Sequence, residues 1–502
     1  MQRASALLQA GNYVLARATL EQVLREAPRF VEAHRLLAGA LQALGDDPGA
    51  ERVLRNALAI DAHWPPTLAA LGEVLLNRNR TDEAEPLLRA AFASARPYPR
   101  ARPLLARLLH AQAQQRIANG DTAAAETALR EALTLDPLLA DAHANLAQLI
   151  WMRSGDIGLA TQELERALAQ QPDTEVLHLV RADLLDGAGE NARARALLTA
   201  RAQRADASTD ALLSASRLSL RNDASHALAY ARRAADLQPG HEGVQRALVD
   251  ALLATGDATA ALPRIEALLR TRPDDQQLIA TRTTAWRLLG DARYAAYCDY
   301  AQMARAWTID TPRGWPDLAS YLADLAASLH QLHSLHSHPL HNSLRGGSQT
   351  AQDLTLSNDP VIRAFFEAID GPIRRHIATI DVDPSGLHPL RRRVRGDYRI
   401  NGIWSVRLRG QGYHTNHVHP AGWLSSACYI ELPRCISAED QAGWLKFGEP
   451  GIPTQPVLAP EYLIQPEPGL LALFPSYFWH GTVPFEGDDT RLTIAFDVVP
   501  AT

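Results

Sequence analysis

The 502-residue chain is poor in sulfur, with three cysteines and three methionines. Cys298, Cys428 and Cys435 cannot build a disulfide framework, so a reducing cytoplasm is the expected setting and each thiol is read as a small buried apolar group. No apolar run approaches the roughly 18 residues that span a bilayer, so no membrane segment is expected. The opening stretch MQRASALLQAGNYVLARATL lacks the basic, apolar and small succession of a secretory signal. A basic excess is missing too. The net charge of −6 gives no reason to expect nucleic acid or an anionic membrane as partner. The sequence has no G-x-S-x-G, P-loop or C-x-x-C, which removes the corresponding hydrolase, nucleotide and zinc readings. What remains is an ordinary soluble composition, 46% apolar and 21% charged, long enough for about two to four domains.

Residues 1 to about 300 are rich in Ala, Leu and Arg and read as helix. Ala16, Ala50 and Ala84 are spaced by 34, as are Ala57 and Ala91, and Ala38 and Gly72. After a longer interval the register resumes at Ala125, Ala160, Ala194, Ala227 and Ala261. Ala132, Ala167 and Ala234 keep step, followed by Pro137, Pro172, Pro239 and Pro273. Gly-Asp or Gly-Asn turns fall between the helices, in AGNY, LGDD, NGDT, SGDI, TGDA and LGDA. Small residues let paired helices approach closely, and proline ends the second of each pair. The pattern resembles tetratricopeptide repeats, about eight of them over residues 1–300. The resemblance implies an all-α superhelical solenoid whose groove binds a peptide or protein. A rigid spacer or an oligomerisation arm is the plainer alternative. Pro97 to Gln115 does not fit a clean repeat and is read as an elongated helix pair.

Residues 301–314 are expected to be a linker. Beyond Trp315 two helical stretches, WPDLASYLADLAASLHQLHSLH and DPVIRAFFEAIDGPIRRHIATI, flank NSLRGGSQT, read as a loop. After Tyr398 the pattern becomes period two. YRINGIWSVRLRG, GWLSSACYIELP, GWLKFG, GLLALFPSYFWHGTVPF and TRLTIAFDVVP are candidate strands of a small barrel or jelly roll.

GYHTNHVHPAGW packs His414, His417 and His419 into six positions. Two residues apart on an extended segment, His417 and His419 point to the same side and can meet on one ion. His414 is three from His417, which on a strand puts it on the opposite face. A third ligand must come from elsewhere, and LFPSYFWHGTVPF supplies His480. Arg491 and Thr493 share one face of the final candidate strand, and an arginine fork suits a carboxylate.

This order, with SLRGGSQT, HVHPAGWLSSACYIELP, LFPSYFWHGTVPF and TRLTIAFDVV, resembles the non-haem iron, 2-oxoglutarate-dependent oxygenases. It is more similar still to a bacterial and phage subgroup found joined to tetratricopeptide repeats. The resemblance covers roughly residues 315–500. It implies a mainly-β double-stranded β-helix domain, jelly-roll or cupin-like with flanking helices, over 315–502. It implies Fe(II), 2-oxoglutarate and molecular oxygen, with His417 and His480 as metal ligands. Arg491 and Thr493 would hold the far carboxylate of 2-oxoglutarate, and Tyr429 is a further candidate there or a core residue. The chain departs from the family where the usual second ligand is Asp or Glu: the position is His419. Three neutral imidazoles leave Fe(II) at +2, where two and a carboxylate leave +1. His419 is the expected third ligand. A site completed by water or by Glu431, or one using His414, is the rival.

The expected function is a dioxygenase that hydroxylates a peptide or protein brought by the repeat groove. The alternatives are a repeat scaffold with a degenerate barrel and a three-His dioxygenase that does not use 2-oxoglutarate. Four other features invite a reading. His330, His333, His336, His338 and His341 mark a helix end leading into a loop, or metal storage. LRRRVRGDYR is a solvated basic strand edge, or a site for an acidic substrate or partner. LRGGSQT closes over the site or is a plain turn, and the six-proline segment GEPGIPTQPVLAPEYLIQPEPG reads as a stiff loop or lid.

Overall fold

The computed structural model describes every residue except His341, Arg395, residues 437–440 and Thr502. Helices fill the chain as far as Tyr300–Met303, and a helical tetratricopeptide-type solenoid region is followed by a domain rich in antiparallel sheet. The repeat grammar has a direct structural cause. Ala16, Ala50, Ala84, Ala125, Ala160, Ala194, Ala227 and Ala261 are all buried, none more than 3% exposed. A methyl is the largest group that fits there. Five of the six turns work the same way. Gly45 takes φ 80°, and Asp46 then caps the next helix by accepting from Gly49 N at 2.8 Å. Gly256 and Asp257 repeat this, with Ala260 N at 3.0 Å. The stretch expected to be a helix pair is one 18-residue helix, Ala101–Ala118. It holds no glycine, and its one proline, Pro103, lies in the first turn, where proline is tolerated.

Two compact units emerge, Met1–Leu146 and Ala147–Thr502. The later repeat helices therefore belong to the same body as the sheets. A single apolar core runs from Ala227 and Leu252 through Ile279 to Phe447, Phe478 and Val498. The helix Gln276–Leu289 is sunk into it: Leu278, Ile279, Ala285 and Trp286 are buried, and so are Thr281, Thr283 and Thr284.

Among the described residues nine strands form two sheets: β1 (Arg305–Thr308), β2 (Leu344–Gln349), β3 (Tyr398–His414), β4 (Leu424–Glu431), β5 (Leu445–Phe447), β6 (Tyr462–Ile464), β7 (Leu470–Pro475), β8 (His480–Thr482) and β9 (Arg491–Pro500). The larger sheet has the order β1-β7-β4-β9-β3-β2, the smaller β6-β5-β8. All five predicted strand regions are strands. Along β9 the alternation sends Leu492, Ile494, Phe496 and Val498 into the core, where Phe496 meets Phe365 of the helix Pro360–Ala378 edge-on. Arg491, Thr493, Ala495 and Asp497 take the other face.

Three expectations are corrected. Residues 301–314 are not a free connector, because they contain β1, which pairs with β7 from Arg305↔Leu473 to Thr308↔Leu470. LRGGSQT is the edge strand β2. Its glycines hid it: a Cβ on Gly347 would sit 2.4 Å from Arg407 O, so the close approach to β3 demands glycine. The proline-rich loop is docked on the repeat helices. Arg287 donates to the carbonyls of Gly448 and Ala459, and Arg221 to that of Gly451.

Candidate metal centre

His417 and His480 face each other across the gap between the sheets and exchange both backbone hydrogen bonds, 2.9 Å and 3.1 Å. This antiparallel bridge fixes their spacing, with ring centroids 4.2 Å apart. His419 follows on a turn held by Ser476 O. The ligand nitrogens of all three lie within 4.8 Å of one another.

Each ring is locked in one tautomer. Nδ1 of His417 donates to Thr415 O at 2.8 Å, and Nδ1 of His480 to Phe478 O at 2.8 Å. Nδ1 of His419 donates to Asp497 Oδ1 at 2.6 Å. Every Nε2 therefore presents a lone pair inward, which is what a metal requires. The Nε2 atoms of His417 and His419 stand 3.2 Å apart. Two lone pairs at that distance repel unless a cation lies between them. Two imidazole nitrogens bound at right angles to one ion at about 2.1 Å stand about 3 Å apart. Burial pushes the His417 pKa down to about 3, and holds His480 and His414 well below the ordinary histidine value, so these rings are neutral near pH 7.

The three histidines open into a cavity of about 750 Å³, whose wall includes Trp404, Arg491, Thr493 and Asp497. Arg491 is 3% exposed. One of its terminal nitrogens donates to Gly443 O at 2.9 Å, and its guanidinium lies over the Tyr429 ring at 4.8 Å. Among the described residues nothing bonds to Arg491 Nε or to the Tyr429 hydroxyl, and both are buried. A buried arginine with no anion beside it is costly, and a carboxylate in the cavity would satisfy it. Burial pushes the guanidinium pKa down. Thr493 lines the cavity, whereas Tyr429 is fully buried against the arginine.

Of the two residue rivals for third ligand, only Glu431 lies away from the cavity. Glu431 is exposed and pairs with His330 at 2.8 Å. His414 does line the cavity, contrary to the strand argument, because β3 ends at His414 and the alternation stops there. Its Nδ1 meets Ser343 Oγ at 2.9 Å, and that oxygen lies 3.3 Å from His417 Nε2. The sequence reading missed Asp497, Ser343 and Trp404. Asp497 was findable, since it continues the period-two row of Arg491, Thr493 and Ala495.

A family model described as "Putative 2OG-Fe(II) oxygenase" matches residues 402–497, and tetratricopeptide-repeat models match 7–62, 48–108 and 110–175. Tetratricopeptide repeats and a domain of this oxygenase type are joined in one chain. The oxygenase match contains all three histidines, Arg491 and Asp497. Cellulose synthase operon protein C of Xanthomonas axonopodis pv. citri (strain 306) is 31% identical over 180 residues, covering 36% of this chain and 12% of that protein. Solved structures similar to the chain include PilF of Pseudomonas aeruginosa, 22% identical over 49% of this chain and 93% of that one, TM-score 0.30. Yeast Tom70 is 16% identical over 58% of this chain and 61% of that one, TM-score 0.42.

The remaining motifs of the oxygenase domain are structural. His333 bonds Ser348 and Ser405, and His338 faces Trp151 and Gly187 O. Of the LRRRVRGDYR run, Arg391–Arg393 form a 3₁₀ turn, Arg392 pairs with Asp274 at 2.6 Å and Arg393 donates to Gly422 O. His341 and Arg395 lie outside the described residues. No described helix is long and apolar enough to cross a membrane.

Proposed function

We propose that the protein is a non-haem Fe(II)- and 2-oxoglutarate-dependent dioxygenase that hydroxylates a peptide or protein recruited by its repeats. The observation that carries this is the inward convergence of three tautomer-locked Nε2 atoms beside a buried arginine whose Nε lacks a partner. Iron and 2-oxoglutarate, when bound, would with molecular oxygen supply the hydroxylation of a substrate C–H bond, one oxygen atom going to the substrate and the other to succinate as 2-oxoglutarate loses carbon dioxide.

The chain's own residues do the positioning. His417, His419 and His480 would hold the metal on one side and leave the cavity side open. Arg491, with Thr493 beside it, would fix the far carboxylate of the co-substrate. Asp497, itself fixed by Ser425 Oγ at 2.8 Å, orients His419 and adds negative charge one bond behind it. In support of recruitment, the helices from Glu175–Gly187 to Glu242–Ala254 line a second cleft that shares Arg345, His414, Thr415 and Thr482 with the metal cavity.

The three-histidine set by itself also suits a dioxygenase without 2-oxoglutarate, but such an enzyme has no use for Arg491. Anaerobic titration of the apoprotein with Fe(II) and then 2-oxoglutarate discriminates. A visible charge-transfer band is expected, and His417→Ala should abolish it. Arg491→Ala should weaken 2-oxoglutarate binding at least tenfold with iron affinity unchanged. Iron binding without a band would favour the second reading, and no iron binding would leave a scaffold.

A further inference from the structure

Next to the metal cavity lies a larger cleft of about 1070 Å³. One wall is repeat helix and the other is barrel, and the two spaces share Arg345, His414, Thr415 and Thr482. It is larger than most small-ligand sites even without the metal cavity beyond it.

Its charge is lopsided. Five cations line it: Arg195, Arg217, Arg221, Arg345 and Lys446. Arg217 is satisfied by Asp183 and Asp186, and Lys446 by Glu449. Among the described residues the other three make no ion pair with a carboxylate. Arg221 donates to Gly451 O, and Arg345 to Asn342 O and Leu344 O. Among the described residues nothing engages the Arg195 side chain. The one acid left is Asp250, which burial pushes up to about 7, so it is half neutral at physiological pH. Burial pushes the Arg345 guanidinium below its ordinary value, Tyr413 and Asp186 pull it back up, and the Arg221 charge adds a smaller push downward, so the two cations repel. An anion between them would relieve that repulsion. This concentration of positive charge stands out in a chain of net charge −6.

Three amides, Asn191, Asn222 and Asn416, also face the space. Each offers a donor and an acceptor, the pair that a peptide backbone presents. Building on the proposed oxygenase reading, we infer that the cleft takes an acidic peptide segment of a protein substrate. Carboxylates of that segment would lie against Arg221 with Arg345 and against Arg195, and its reacting residue would enter the metal cavity beside His414 and Thr482. The edge strand β2 then acts at both ends, since Arg345 belongs to both spaces.

The test needs neither iron nor 2-oxoglutarate, so its failure is distinct from failure of the oxygenase reading. Fluorescence anisotropy of the full-length apoprotein would be measured with three labelled decapeptide pools, rich in Asp and Glu, neutral, or rich in Lys. The acidic pool should bind at least tenfold more tightly than the other two. The Arg195→Glu/Arg221→Glu protein should lose at least tenfold of that affinity. Arg313→Glu, at an exposed pair with Glu367, should lose none. Arg345→Ala should also weaken the acidic pool, which guards against misfolding of the double variant, and circular dichroism would check all three. Equal binding of the pools, no binding of the acidic pool, or binding indifferent to the charge reversal would each overturn the inference. Free glutamate competing as well as the acidic pool would overturn the peptide in favour of a small acid.

Discussion

Asp497 carries the negative charge that position 419 lacks. In the proposed Fe(II) centre three neutral imidazoles would leave +2, and the carboxylate 2.6 Å from His419 Nδ1 would bring the local total back to +1. Asp497→Asn keeps the shape and an acceptor while removing the charge. Metal affinity should fall roughly tenfold or more, read by Co(II) titration of the apoprotein through its visible absorption. Unchanged affinity would mean that the aspartate is only a packing group. The clustering of the three histidines was legible because His417 and His419 project to one side and His480, Arg491 and Thr493 follow in order. The parity argument failed for His414, where the strand it assumed has already ended. Ser343 was beyond it altogether, since its place beside His417 depends on a pairing between β2 and β3 that no local pattern announces.

Turns and edges set the behaviour of single elements. Asp257→Ala removes the acceptor for Ala260 N, and the cost should be about 1 kcal/mol in the urea unfolding of the unit from Ala147. The helix Pro360–Ala378 carries a different liability. His376 is 1% exposed and accepts from Trp307 Nε1 at 3.2 Å, which only the neutral ring can do. Burial pushes its pKa down to about 3. The unfolded chain takes up that proton near 6.5 and the folded one near 3, so the unfolded state binds more protons between them. The stability is therefore complete above about pH 6.5 and is lost as pH falls toward 3. His376→Gln keeps an acceptor without titrating and should reduce the loss between pH 6.5 and 5 by about 2 kcal/mol, measured by urea unfolding at the two values. Strands rich in aromatic and β-branched residues were readable from period two. The edge strand β2 was not, because the close contact that makes it a strand also requires it to be built from glycine.

At the scale of the whole molecule, the boundary between helix and sheet is not the boundary between units. Trp479, the neighbour of His480, donates to Thr284 Oγ1 at 3.0 Å, and Gln276 N donates to Pro420 O beside His419. The last long repeat helix thus braces both segments that carry the histidines. A fragment begun at Ala140 should fold cooperatively and bind metal, whereas residues 301–502 alone should aggregate, since Leu278, Ile279 and Ala285 leave the shared core with the missing helix. Calorimetry and sedimentation of the two fragments check this. Periodicity marked the repeats, but it could not say which of their surfaces the sheets would cover.

The bridge between His417 and His480 is made by main-chain hydrogen bonds and uses neither ring's Nε2. Folding has already met the entropic cost of assembling the ligands, so the pocket has little freedom to reshape itself around one element. Cobalt, nickel and zinc also suit imidazole nitrogen, and the Irving–Williams series ranks them above ferrous iron. The occupant should then follow supply: protein made in zinc-rich medium should emerge loaded with zinc, as elemental analysis would show, whatever its sequence encodes.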